Sequence, residues 1–136
     1  PYEFFHDESG FNYRMPNLNA ALGCAQMEVL THYLAKKRHL AHQYQEFFSQ
    51  SDFTFFVEPE YAQSNYWLNA VICNDIQQRN ELLEQTNKAG VMTRPVWKLM
   101  HKLPMFEKAL RSDLTQSEFI EAHLVNLPSS PVMLNI

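Results

Sequence analysis

From position 18 the apolar side chains recur about every 3.6 residues, at Leu22, Ala25, Val29 and Tyr33, then Leu40, Tyr44 and Phe47. Leu30, Leu34 and Ala41 widen the stripe. That period predicts one long helix over 18–49. Pro16 disfavours helical geometry at Met15 and Asn17 is a good N-cap, so the start is set there. Lys36, Lys37, Arg38 and His39 crowd the opposite face, as on a helix that is wet on one side. At ~1.5 Å per residue the helix would run roughly 45 Å. A small domain needs less, so it is expected to pack also on something outside this chain.

The pattern then changes period. Residues 53–57 and 66–73 are rich in aromatic and β-branched side chains and are separated by a polar stretch, which predicts two strands in a hairpin with a long turn. Asp75 can cap a helix that carries Ile76, Leu82, Leu83 and Ala89 to a core, and Gly90 falls where a left-handed C-terminal residue is wanted. A short strand over 91–94, a helix over 114–124 capped near Asp113, and a final strand and turn over 125–130 complete the reading. The expected class is α+β, a long N-terminal helix and further helices packed on a small, mostly antiparallel sheet.

Composition narrows the function classes. With 136 residues, 46% hydrophobic and ten Phe, the chain can bury a real core. A net charge of -4 gives no general attraction for a phosphate backbone, so nucleic acid is not an expected partner. The apolar runs are far shorter than the roughly 20 residues of a membrane span. Cys24 and Cys73 sit in apolar patterns and read as buried free thiols, which places the chain in the cytoplasm. Because it opens on Pro1 in mid-phrase, the chain reads as a piece of a longer protein.

Two clusters could carry chemistry. Asn12, Tyr13 and Arg14 lie on an extended segment just before the long helix; an Asn amide and an Arg fork suit a phosphate or carboxylate, and a nearby helix N-terminus favours anions. Equally, Asn12 could bond local backbone and Arg14 could pair with Glu3, Asp7 or Glu8. In the second cluster, 93–104, Arg94 lies at a strand end, and Trp97 and His101 share a face if the segment between them makes a helical turn. Cation, aromatic ring and imidazole suit a nucleotide or phosphosugar; a solvated basic loop with Trp97 as a core plug is the other reading. His32, His39 and His42 on the long helix find at most one carboxylate each at helical spacing, Glu28 or Glu46, too few for a zinc site.

Taken in order, Gly10-Phe-Asn-Tyr-Arg-Met-Pro-Asn-Leu-Asn-Ala-Ala-Leu-Gly23 with Gln26, then Asn65-Tyr-Trp-Leu68, then Gly90-Val-Met-Thr-Arg-Pro-Val-Trp-Lys98 with His101 and Pro104, then Asn126-Leu-Pro-Ser-Ser130 resemble the DegT-type nucleotide-sugar aminotransferases. These enzymes depend on pyridoxal phosphate, and the phrasing is nearest the legionaminic-acid, bacillosamine and perosamine branch. The resemblance implies that 1–50 is the end of the large domain with the cofactor and dimer contacts. It implies that 51–136 is the small C-terminal domain of a fold-type I aminotransferase. It further implies a homodimer in which Asn12 reaches the cofactor phosphate of the neighbouring subunit. Arg14 and Tyr13 would serve the substrate or the amino donor, glutamate, while His101, Arg94 and Trp97 face the sugar nucleotide. The family's cofactor-anchoring lysine lies upstream of the Asn-Tyr-Arg segment, so no catalytic residue is expected here and the chain alone should be inactive. A stand-alone interaction module and a regulatory paralogue without transamination remain open as other readings.

Overall fold

The computed structural model describes residues 4–131. Its elements run α1 (Asn17–Glu28), α2 (Leu30–Phe48), β1 (Thr54–Phe55), β2 (Asn69–Ile72), α3 (Ile76–Lys88), β3 (Arg94–Pro95), α4 (Thr115–His123) and β4 (Leu124–Leu127). Two single 3-10 turns, Met100–Lys102 and Pro104–Phe106, lie between β3 and α4. The class is α+β, and the sheet is antiparallel throughout in the order β1-β2-β4-β3. The chain crosses from β2 through α3 to β3, and β4 then fills the slot left between them. This is a split β-α-β unit.

Val71 and Val125 are register partners at the centre of the sheet and both are fully buried. Around them the core gathers Ala41, Phe55, Cys73, Leu83 and Leu127, with Tyr44, Phe48 and Leu82 packed against it. Alternation accounts for the strand contributions, since Val71 and Cys73, or Val125 and Leu127, point to one face. α2 packs on β1 and α3 on β4. Asp75 Oδ1 accepts from Gln78 N at 2.8 Å and caps α3, and Gly90 takes φ +79 just past its end. Both were expected from the sequence.

The single long helix is not continuous. Val29 adopts φ −112, ψ 4 and its N–H bonds to Gln26 O, a tight three-residue step that separates α1 from α2. A β-branched residue is a poor helix former at such a point. Pro16, not Asn17, holds the N-cap position, and no side chain caps α1. No residue of α1 is buried, so the described residues offer no seat for Leu22 and Cys24, and Cys24 is exposed where burial was expected. At the far end the core takes Phe48 and leaves Phe47 outside.

The strands are shorter than the apolar runs that announce them. β3 forms at Arg94–Pro95 and not over 91–94; it is an edge strand, where a proline is tolerated because its missing N–H would face away from the ladder. α4 starts at Thr115 with Leu114 in the cap position, while Asp113 Oδ1 accepts from Thr115 N and Oγ1 one residue earlier in the turn.

Candidate functional site

At the β3–β4 edge a pocket of about 340 Å³ opens, and its walls are predominantly apolar. Leu68 forms one wall, Met92 and 94–98 a second, 126–130 a third, and Phe4 of the N-terminal arm reaches its rim. Three segments far apart in sequence therefore converge on one concavity. They are the segments around Asn65–Leu68, Gly90–Lys98 and Asn126–Ser130 that the sequence singled out together. Arg94, Lys98, Asn126, Ser129 and Ser130 supply its polar groups.

β3 fixes Arg94 in register with Asn126. Behind it Thr93 is fully buried and bonded on several sides. Its hydroxyl lies 2.6 Å from Thr86 Oγ1, and Asn87 Nδ2 donates to Thr93 Oγ1 at 2.9 Å and to its carbonyl at 3.1 Å. Arg94 NH1 reaches Asn87 Oδ1 at 3.5 Å, so the end of α3 and the edge strand act as one unit. Trp97 is half-exposed and stacks on Trp67 at a centroid distance of 6.1 Å and 21°. It lines the pocket and is not a plug of the core.

His101 is not brought to this pocket. The backbone from 96 to 99 is not helical, and only Met100–Lys102 makes a turn, so Trp97 and His101 do not share a helical face. The imidazole instead meets Glu118 of α4, Nε2 to Oε1 at 3.4 Å, beside a different concavity formed with Arg111 and Asp113. Next to it, Glu121 is buried and accepts from Leu99 N at 3.2 Å and from the Lys102 ammonium. Burial pushes the Glu121 carboxyl up, but the Lys102 bond, the Leu99 N–H and the fields of Lys102 and Lys98 outweigh it, and the net shift is downward.

Asn12, Tyr13 and Arg14 lie on the exposed arm before α1. Asn12 Oδ1 accepts from Arg14 N at 2.7 Å, an Asx turn that holds Arg14 at φ +66. The local-backbone reading of Asn12 is thus realised in this chain, while its Nδ2 donors have no partner among the described residues. Among the described residues no carboxylate pairs with Arg14; Glu3, one of its three candidate partners, lies outside them. A non-glycine residue in the left-handed region stores strain of about 1–2 kcal/mol. It does so three residues before the first residue of α1, Asn17.

Two residues escaped the sequence reading. Lys37 and Arg38, placed on the wet face, are half-buried and both bond into the loop before β2. Burial draws the Lys37 ammonium below its ordinary value. The Arg38 fork holds Glu58, and that bond, with the Ser64 N–H, lowers the Glu58 carboxyl. Lys37 is spaced four and seven residues from Ala41 and Tyr44, and that spacing was the signal available for it. Among the described residues only His42, of His32, His39 and His42, has a carboxylate near, Glu46 at 3.5 Å, and no group of three metal-ligating side chains exists. No described helix is long and apolar enough to cross a membrane.

Comparison with known proteins bears on this geometry. The sequence model of the DegT/DnrJ/EryC1/StrS aminotransferase family matches residues 2–135. A GDP-perosamine synthase of Escherichia coli O157:H7 is 29% identical over 133 residues, 98% of this chain and 36% of that protein. Among solved structures, a DegT/DnrJ/EryC1/StrS aminotransferase from Brucella abortus superposes with a TM-score of 0.77 at 17% identity, over 96% of this chain and 37% of the other. The E. coli GDP-4-keto-6-deoxy-D-mannose-3-dehydratase with bound hydrated PLP superposes with a TM-score of 0.70 at 20% identity, over 92% of this chain and 34% of the other. The chain spans about a third of the length of the relatives it matches.

Proposed function

This chain belongs to the DegT/DnrJ/EryC1/StrS aminotransferase family, and from that premise we propose that it is the C-terminal part of an enzyme that transfers an amino group from glutamate to a 4-keto-6-deoxy nucleotide sugar. Residues 1–50 close the large domain, residues 51–136 form the small one, and the full-length protein works as a homodimer in the cytoplasm to make sugars for surface glycans. The observation that carries the reading is the convergence of Leu68, 94–98 and 126–130 on one pocket, with an indole and two cations in its walls.

The residues present suit pyridoxal phosphate at the exposed arm. Asn12 is tethered through its oxygen, so its Nδ2 is left to donate to a phosphate oxygen of the cofactor in the neighbouring subunit. When bound, pyridoxal phosphate supplies the electron sink and carries the amino group between the two substrates. Arg14, strained and exposed next to the α1 N-terminus, grips a carboxylate or phosphate of the donor or sugar, with Tyr13 beside it. Arg94 and Lys98 offset the diphosphate charge, and the Trp97 face covers the planar or apolar part of the nucleotide. His101 lies outside this pocket, at the second concavity beside Glu118, and any part it plays is taken from there. The lysine that anchors the cofactor lies in the missing part of the enzyme, so this chain alone does not transaminate.

The test uses the full-length protein with pyridoxal phosphate, glutamate and GDP- or UDP-linked 4-keto-6-deoxy sugars, and reads the product by mass. An amino sugar formed with loss of glutamate supports the proposal. Trp97→Ala should weaken the sugar nucleotide about tenfold without loss of cofactor, as expected for a lost stacking contact. A dehydrated sugar, or no turnover with any 4-keto sugar, would overturn it. Borohydride reduction of this chain alone with pyridoxal phosphate should leave no stoichiometric single-site adduct.

A further inference from the structure

The ammonium of Lys37 has three carbonyl acceptors, Ser129 O at 2.7 Å and Tyr66 O and Trp67 O at 3.2 Å each. An ammonium has three donors, so its capacity is filled. The acceptors belong to two segments some sixty residues apart, the run into Leu68 and the turn after β4, and each supplies a wall of the pocket. Four and seven residues further along the same helical stripe, Ala41 is buried and the Tyr44 hydroxyl donates to Pro128 O at 3.0 Å. α2 therefore grips the 128–129 turn twice.

The adjacent Arg38 holds the other end of the loop. Its fork sits on Glu58, NH1 also donates to Ser64 O at 2.6 Å, and Glu58 accepts from Ser64 N. Between these two anchors Tyr66 adopts φ +45, with its N–H on Ser64 Oγ at 2.9 Å. An aromatic residue persists in that region only when its surroundings over-determine it. Here they do, since its carbonyl is fixed by Lys37, its N–H by Ser64, and its ring lies under the Arg38 guanidinium at 5.6 Å. The chain that leaves Tyr66 is thereby aimed to place Trp67 against Trp97 and Leu68 in the pocket wall.

We propose that Lys37 is a positioning residue for this pocket: its ammonium joins the wall that carries Trp67 and Leu68 to the wall that carries Pro128 to Ser130, and so sets the width offered to the nucleotide sugar. The inference rests on the functional reading above for the identity of the ligand. It assigns Lys37 no contact with that ligand. A side chain of similar length without donors leaves three carbonyls facing an apolar chain, and the two walls are then free to part.

The experiment compares Lys37→Met and Lys37→Arg with the wild type in the full-length protein. Thermal midpoint and cofactor absorbance are recorded beside titrations with GDP and UDP and the steady-state constants for both substrates. Expected for Lys37→Met is an affinity for the preferred nucleotide, and a KM for its sugar, weakened about tenfold, the size expected for loss of charged hydrogen bonds. The kcat and the KM for glutamate should stay within about twofold. Lys37→Arg, which keeps the charge and the donors, should recover most of the loss. Unchanged nucleotide affinity in Lys37→Met would overturn the proposal, and so would a loss shared equally by both substrates that tracks the thermal midpoint. A wild-type protein that binds GDP or UDP without transaminating would sink the aminotransferase reading alone, because the lysine is still judged on nucleotide affinity. A wild type that binds neither nucleotide would sink both.

Discussion

Glu121 offers the sharpest test of how the segment beyond the pocket is held. Its side chain is 8% exposed and accepts from Leu99 N and from Lys102, whose own side chain is 41% exposed. In Glu121→Ala the Leu99 N–H loses a charged acceptor, worth about 2 kcal/mol, and the wet Lys102 end adds no more than about 0.5 kcal/mol once screening is counted. Glu121→Gln keeps an amide oxygen for Leu99, so its cost should be about 1 kcal/mol. The sign with pH follows from the downward shift of the carboxyl from its ordinary value of 4.5. A depressed folded value gives stability that is full above the unfolded value and is lost as pH falls through the folded one. Urea unfolding followed by tryptophan fluorescence should show the full gap between wild type and Glu121→Gln near neutral pH. The gap should close progressively below pH 4.5. A gap that stays constant into acid would refute the account, since it would mean that the carboxylate charge contributes nothing.

Two further outcomes can be checked directly. Asn12→Ala and Arg14→Ala in the full-length protein should weaken cofactor or substrate binding about tenfold with the unfolding midpoint unchanged within error, because both side chains are exposed; normal kinetics together with a lowered midpoint would remove the anion-site role. In this chain a thiol reagent should titrate Cys24 at once and Cys73 only on unfolding, since Cys73 is buried and burial pushes its thiol up to about 11. Equal rates for the two thiols would contradict the packing described.

What could be read from the sequence was local. The Asp75 cap, the left-handed Gly90 and the antiparallel pairing of the aromatic runs each depend on a few neighbouring side chains, and each appears as expected. The break at Val29 depends on a single hydrogen bond stepping from a four-residue to a three-residue span, which hydrophobic periodicity does not register. The choice of Phe48 over Phe47 is a rotation of one position in a stripe that holds both. The site divided the same way. Arg94 and Trp97 reach the pocket because the sheet register carries them there, whereas His101 was paired with Trp97 on an assumed helical turn that the backbone does not make. Lys37 was the largest omission: its helical spacing to Ala41 and Tyr44 turns it toward the core, but its partners lie 29, 30 and 92 residues away, beyond the reach of any local pattern.

The place of β4 in the sheet has a consequence for biosynthesis. Every other described element precedes it in sequence, yet it sits between β2 and β3 and pairs with both. A ribosome-bound intermediate ending before residue 124 would hold β1 and β2 as a hairpin with an open inner edge, and β3 would have nothing to pair with. Such an edge is an invitation to intermolecular pairing. Newly made chains should therefore be most in need of a chaperone in the interval before those four residues leave the exit tunnel. Completion of the pocket at the β3–β4 edge is tied to the same moment, because the turn that follows β4 is one of its walls.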